Sequence, residues 1–249
     1  MSAMPFGQKY AEIYDKVYQD KDYAREVAFL EDIFERYGEE PVTILDVACG
    51  TGGHAIELVK KGYTVTGIDA SKHMIEIAKE KARREGMDVE FHVAEMQSFD
   101  LDEKFDAVFC MFSGMDYLLL YSEIMRTLAN IKKHLKDGGL FICDFWNASA
   151  RYAPEETKIV EDGDIKIIRA STIKQMVHGY YEVKFNFDVK EGSRTDNFSE
   201  RHVLRAYYPD EIRRYLEESG FEVLKICPFM ELDGEITEDV RDIMVIARC

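Results

Sequence analysis

The 249-residue sequence predicts an α/β fold built on a doubly wound, mostly parallel sheet, with an antiparallel last strand and a small antiparallel β insertion. Three observations predict it. Short apolar, β-branched runs alternate with helix-period segments from Val42 to Phe145, the pattern of a parallel sheet covered on both faces. A glycine-rich turn, Cys49-Gly50-Thr51-Gly52-Gly53, follows the first of these runs at a strand-to-helix junction. The alternation then breaks between residues 155 and 207, where strand-like runs are separated by turn residues alone.

In chain order, Tyr10, Ile13, Tyr14, Val17 and Tyr18 make an apolar-aromatic stripe at helical spacing. A second helix is expected from Tyr23 to Tyr37, closed by Gly38. Val42 to Val47 reads as the first strand, the glycine turn follows, and a helix continues to Lys61. Tyr63 to Ile68 is the second strand, ending at Asp69. Ser71 is placed to cap a helix through Arg84. Val89 to Ala94 and Phe105 to Met111 are the third and fourth strands. Ser122 to Leu135 is a helix expected to stop at Gly138-Gly139, before a fifth strand, Leu140 to Phe145. Turn-like Asp162-Gly163-Asp164, His178-Gly179 and Glu191-Gly192-Ser193 punctuate an antiparallel insertion of about three strands. Pro209 opens a helix that Gly220 follows, and Phe221 to Ile226 and Asp242 to Ala247 are closing strands. The organisation expected is a helical lid over 1–40, a cofactor-binding domain over 41–154 plus 208–249, and the insertion over 155–207.

The formal net charge of -16 repels phosphate backbones and argues against nucleic acid as a partner, although acidic balances are also common in proteins with no such meaning. The five cysteines form no CxxC pair, and three of them sit in or beside apolar runs. They read as reduced, buried thiols. No apolar run is long enough to cross a membrane, and the first residues lack the apolar core of a signal peptide, so a cytoplasmic location is expected. The six histidines show no HxH, HExxH or His/Cys ligand spacing, and no metal site is expected.

The strongest signal is Asp46-Val47-Ala48-Cys49-Gly50-Thr51-Gly52, where Gly50 and Gly52 allow a ligand to lie against the main chain. Two cofactor classes compete for such a turn. Gly50-Thr51-Gly52-Gly53-His54-Ala55 fits the GxGxxA form of a dinucleotide site, which keeps an NAD-dependent oxidoreductase open. Asp46 favours the other class. A carboxylate ahead of the glycines suits an ammonium group, directly or through water, and would repel a pyrophosphate. S-adenosylmethionine offers an ammonium, a sulfonium and a ribose diol with no phosphate, and Asp46 with Asp69 suits those groups. The alternative for Asp46 is a buried turn carboxylate satisfied by backbone donors, and for Asp69 a cap on the following turn.

At these residues the sequence resembles the class I methyltransferase superfamily, with its Rossmann-like sheet, over Val42 to Phe145 and the closing helix and strand pair. The resemblance implies that Asp46, Ala48, Gly50 and Gly52 hold the methionine part of the cofactor. It also implies that Asp69 meets the ribose with Ala70 beside it, that Glu95 and Met96 meet the adenine, and that Met111 passes close by at the end of the fourth strand. YAEIYDKVY, LDVACGTGGH and CMFSGMDYL are similar to the N,N-dimethyltransferases of nucleotide-linked amino sugars, and there is some likeness to glycine and sarcosine N-methyltransferases. Those sugar enzymes carry Trp-Trp after an acidic residue where this chain has Asp144-Phe145-Trp146-Asn147, and some carry a histidine at the position of Tyr117.

The activity so implied is methyl transfer from S-adenosylmethionine, leaving S-adenosylhomocysteine, to a small-molecule acceptor, with an amine nitrogen favoured. A non-catalytic cofactor-binding subunit stays open. Such chemistry rests on positioning, because the sulfonium already carries the leaving group. Tyr14, Tyr117 and Asp116 are the candidates for orienting the nucleophile, and Tyr18 for touching the cofactor. Simple packing of the tyrosine stripe is the alternative. By analogy with the sugar enzymes, the insertion implies a homodimer.

Overall fold

A computed structural model describes residues 6–38 and 40–249; the parts of the expected lid at residues 1–5 and 39 lie outside the described residues. Two helices come first, α1 (Gln8–Val17) and α2 (Tyr23–Arg36). Asp22 caps α2 by accepting from the Arg25 N–H at 2.9 Å. The alternating segment follows as β1 (Thr43–Val47), α3 (Gly53–Lys60), β2 (Thr64–Asp69), α4 (Lys72–Glu85), β3 (Glu90–Val93), β4 (Phe105–Cys110), α5 (Tyr121–His134) and β5 (Leu135–Trp146). Ser71 does cap α4, accepting from the Met74 N–H, and Gly86 ends that helix at φ 69°.

Four strands rather than three occupy the insertion: β6 (Glu155–Asp162), β7 (Ile165–Val177), β8 (Tyr180–Glu191) and β9 (Arg194–Arg205). The strand missed by sequence reading is β6, whose EETKIVED is mostly charged and exposes all but Val160 and Lys158 to a large degree, so no apolar alternation announces it. Gly163, Gly179 and Gly192, all at positive φ, stand at the three hairpin turns. The chain closes with α6 (Pro209–Glu218), β10 (Glu222–Pro228) and β11 (Asp242–Arg248).

Seven strands form the central sheet in the order β10-β11-β5-β4-β1-β2-β3, and the insertion forms a second sheet, β6-β7-β8-β9. Pairings of β1 with β2 and β4, β2 with β3, and β4 with β5 are parallel; β11 runs antiparallel between β5 and β10. Period-2 alternation sends side chains to both faces. Leu45, Val47, Val108, Phe141 and Val245 pack with α5 and α6, while Ile44, Phe109, Ile142 and Met244 pack with α2, α3 and α4. A third cluster joins Tyr10, Ala11, Tyr14 and Val17 of α1 to Val160, Ile167 and Phe187 of the second sheet.

One boundary differs from expectation. Helix α5 ends at His134 and passes directly into β5, so Gly138-Gly139 lie inside the strand segment and do not stop the helix. Leu135 already pairs with Phe105, and a register shift before the Ala107–Leu140 pair accommodates the glycines, with Gly138 at φ 83°. Among the described residues no helix is long and apolar enough to cross a membrane. All five cysteines are unpaired and four of them are buried.

Candidate active site

The chain leaves β1 toward β2 and β3 on one side and returns to β4 on the other, so the strand order reverses between β1 and β4. Outside the carboxyl ends of these strands lies a cavity of about 290 Å³. Its floor is laid by the turns after β1, β2, β3 and β4; Phe6, Tyr14, Lys21 and Tyr23 of the N-terminal segment close over it. Three non-glycine residues at these strand ends hold left-handed backbone: Ala48 (φ 60°), Phe112 (φ 70°) and Ser113 (φ 63°). Such geometry is costly and collects at ligand sites. Here it is held from below. The Asp144 carboxylate on β5 accepts the Ser113 N–H at 3.1 Å, and Gly114 lies so close to Ala48 that an added Cβ would come within 2.9 Å of its methyl group.

Nine of the thirteen residues singled out from the sequence line the cavity: Tyr14, Ala48, Gly50, Asp69, Ala70, Glu95, Met96, Met111 and Tyr117. Gly50 has φ 55°, and a Cβ built on it would meet nothing within 4 Å. The space over this backbone is therefore open to a ligand. Asp69 is oriented by two backbone donors, Gly50 N–H at 2.9 Å and Ser71 N–H at 2.7 Å. Burial raises its pKa, against the pull of those two donors. Glu95 and Met96 stand in the turn after β3, whose Ala94 N–H bonds the Asp69 carbonyl at 2.9 Å.

The other four are elsewhere. Asp46 is 2% exposed and lies behind the lining; burial, then the neighbouring Asp69, drives its pKa well up against one backbone hydrogen bond from Ala55. Its Oδ2 has no protein partner among the described residues. Gly52 is buried at φ 75°, and a Cβ there would strike the Phe91 ring at 2.7 Å, so it serves the packing of α3 on the sheet. Tyr18 turns to the second sheet, its hydroxyl 3.1 Å from that of Tyr10 and 3.2 Å from Arg169 Nη1. Asp116 is fully buried, and both of its oxygens accept the Trp146 N–H at 3.2 Å. It fixes the loop after β4 and does not face the cavity.

Sequence reading missed a buried ionic group at the cavity wall. Lys21 pairs with Glu26, which also bonds His54 Nε2 at 2.7 Å, and the Lys21 ammonium sits 4.2 Å from the centre of the Phe112 ring. Burial opposes ionisation of Glu26, but His54 and Lys21 outweigh it and hold its pKa low, while burial lowers the His54 pKa against the pull of Glu26. Lys21 and His54 both line the cavity. No local signal marks Lys21, which stands just before the cap of α2 as an ordinary surface lysine would. Thr51 also lines the cavity and donates to Asp15 of α1 at 2.6 Å, tying the helix above to the glycine turn.

The lining thus offers two carboxylates, one ammonium, an open backbone over Gly50 and apolar walls. That set fits a zwitterionic, phosphate-free nucleoside. It fits a dinucleotide poorly, because a pyrophosphate at the glycine turn would face the Asp69 carboxyl group, and the GxGxxA reading gains no support. Among the described residues no group of His, Cys, Asp and Glu has metal-binding geometry.

Comparison with known proteins agrees in kind. Residues 44–139 match the family described as methyltransferase domain. A protein of Geobacillus sp. (strain WCH70), named as a methyltransferase with no stated substrate, is 30% identical over 223 residues, 88% of this chain and 90% of that one. The dTDP-3-amino-3,4,6-trideoxy-α-D-glucopyranose N,N-dimethyltransferase of Streptomyces venezuelae is 28% identical over 222 residues, 86% of this chain and 90% of that one. The crystal structure of Streptomyces venezuelae DesVI superimposes with a TM-score of 0.82 at 25% identity, covering 95% of this chain and 97% of that one.

Proposed function

Because the chain belongs to the class I S-adenosylmethionine-dependent methyltransferases, we propose that this cavity transfers a methyl group to an amine nitrogen of a small molecule, with an amino sugar as the class of acceptor. The observation that carries the reading is the charge pattern of the lining, which brings Asp69, Glu95 and the Lys21 ammonium to one cavity with the open Gly50 backbone. The amino-sugar class is supported by the Streptomyces venezuelae relative, named for that reaction and matched over 90% of its length.

Asp69, already oriented by two N–H groups, keeps lone pairs free to accept the ribose hydroxyls. Glu95 accepts from the adenine amino group, and Met96 packs on the ring. Lys21 meets the methionine carboxylate; its pairing with Glu26 fixes the ammonium, which has further protons to donate. The unpartnered Oδ2 of Asp46, behind the turn, keeps lone pairs that suit the ammonium group, directly or through water. When bound, S-adenosylmethionine supplies the methyl carbon: the nitrogen lone pair forms the N–C bond as the C–S electron pair leaves to sulfur, and the new ammonium sheds a proton to solvent. Tyr14, Tyr117 and Phe112 exclude water and hold the acceptor in line, which is where positional catalysis gains its rate.

Calorimetry tests the first half of this reading. S-adenosylmethionine and S-adenosylhomocysteine are expected to bind at roughly micromolar Kd, and Asp69→Ala to weaken both by about 100-fold. Absence of binding at about millimolar cofactor overturns the reading. Methyl transfer to dTDP-3-amino-3,4,6-trideoxy-α-D-glucopyranose, followed by mass spectrometry, tests the acceptor class; transfer only to hydroxyl compounds counts against it.

Two further parts of the reading concern assembly and compartment. A homodimer through the second sheet is supported by Ile159, Met176 and Val177, apolar side chains exposed on β6 and β7. Sedimentation as a monomer at tens of micromolar counts against it. A cytoplasmic location is supported by the five unpaired thiols.

A further inference from the structure

We propose that His202, on strand β9 of the insertion, fixes the Tyr117 phenol as a hydrogen-bond acceptor facing the methyl-transfer space, so that the cavity selects an acceptor bearing an N–H. The inference rests on the methyl-transfer reading above and gives its substrate side a selecting group.

Tyr117 lines the cavity, and its hydroxyl lies 2.7 Å from His202 Nδ1. His202 is 1% exposed. Its ring is boxed by Phe6 and Phe185, each with centroids 5.1 Å away, and by Tyr10 at 6.2 Å. Its other nitrogen, Nε2, is buried without a hydrogen-bond partner among the described residues. Glu200 Oε2 lies 3.8 Å from Nε2. Glu200 is itself pinned, because its two oxygens accept the Phe6 and Gly7 N–H groups at 3.0 Å each.

These contacts choose the tautomer. With the proton on Nδ1, the bare lone pair of Nε2 would be left buried 3.8 Å from a carboxyl oxygen, which is unfavourable in an apolar box. With the proton on Nε2, the positive end of the N–H dipole lies near the Glu200 carboxyl group and Nδ1 is left as an acceptor. Burial pushes the His202 pKa down to about 4, so the doubly protonated ring does not compete near neutral pH. The Tyr117 O–H therefore donates to Nδ1, and only the lone pairs of the phenol oxygen remain for the cavity. Burial also drives the Tyr117 pKa well up. The phenol is then no proton-abstracting base. It holds an N–H and so aims the nitrogen lone pair. His202 acts through Tyr117 and is a positioning residue.

Sinefungin tests this without knowledge of the acceptor, because a carbon replaces the sulfur of S-adenosylmethionine and an amine on that carbon stands in place of the transferred methyl group. Calorimetry compares its Kd with that of S-adenosylhomocysteine in the wild type, Tyr117→Phe, His202→Phe and His202→Asn. A charge-assisted N–H···O bond predicts a wild-type preference for sinefungin of about tenfold. His202→Phe frees the phenol proton to point at the amine, and Tyr117→Phe removes the oxygen, so each should abolish the preference. His202→Asn keeps an acceptor near the Nδ1 position and should restore most of it. S-adenosylhomocysteine affinity should stay within about twofold throughout, since none of these groups is assigned to it.

A wild type that binds neither compound overturns both the methyl-transfer reading and this inference. S-adenosylhomocysteine binding with an unchanged sinefungin preference in His202→Phe overturns this inference alone. Should the Phe variants not fold, nitrogen-15 spectra of the wild-type histidines decide, with His202→Asn giving the assignment. A protonated Nε2 and a hydrogen-bonded, unprotonated Nδ1 are expected, and the reverse tautomer overturns the proposal.

Discussion

Along the tips of β1, β2 and β3 the cavity is lined by short contiguous stretches, Ala48 to Thr51, Asp69-Ala70 and Ala94 to Gln97. The second sheet reaches residues of the same lining through single side chains with distant partners: His202 with Tyr117 across 85 residues and Glu200 with Phe6 across 194. The contrast is physical in origin. A strand end, a tight turn and a helix start fix several neighbouring backbone groups at once, so a ligand that lies against backbone leaves a local trace. An antiparallel meander delivers one side chain per alternate position, and which one faces the site depends on register set elsewhere.

The comparison can be broken at its strongest point by Gly50→Val. The added side chain would occupy the open space over the turn and force a β-branched residue to φ 55°, so S-adenosylhomocysteine affinity should fall by more than about 100-fold in calorimetry. Retained affinity would mean that the turn is not the cofactor cradle. Lys21→Met comes next. Loss of the ammonium should weaken the same affinity by about tenfold and leave Glu26 with His54 alone, with a smaller loss for adenosine, which has no carboxylate.

Arg169→Met sharpens the contrast from the other side. Arg169 is buried against Tyr18 and bonds Glu156 at 3.1 Å, but it lines no part of the cavity. Its loss should lower the thermal midpoint and change S-adenosylhomocysteine affinity by less than about threefold. A cofactor defect as large as that of Lys21→Met would show that the second sheet holds the cofactor as well.

The smallest expected effect concerns pH. Burial, against the Ser113 N–H, raises the Asp144 pKa to about 7 in the folded chain, whereas an unfolded aspartate titrates near about 3.9. Between these values the native state holds a proton that the unfolded chain has released. This group therefore costs nothing below the window, and its contribution to stability falls as pH climbs through it. Asp144→Asn should flatten that part of the profile, seen as a thermal midpoint that rises relative to wild type from pH 5 to pH 8. An unchanged difference between the two proteins across that range would exclude Asp144 as the source.

Much of the central sheet was legible because its signals are local. Pro209 opens α6, Ser71 caps α4, and apart from the early start of β5 the β-branched runs became strands within about two residues of their expected ends. That Asp69, Gly50, Glu95 and Met96 line one cavity was legible for the same reason. Asp46 and Gly52 belong to the right motif, but a motif does not say which of its members face the ligand. Asp46 went behind the wall and Gly52 under the helix. Lys21, His54 and His202 were illegible because their meaning lies in burial and in partners brought close by the fold. His202 was seen only as one of six histidines without metal spacing. Strand β6 escaped because an exposed edge needs no apolar face.

The left-handed backbone at Ala48, Phe112 and Ser113 carries a consequence for the engineering of this chain. Glycine would relax each of these positions, so a search for heat-resistant variants should find some of its easiest gains at the rim of the cavity. Those gains would slacken the two turns that line the cavity. Robustness and grip are set against each other at the same three residues, and hardening the protein without blunting it means leaving them alone.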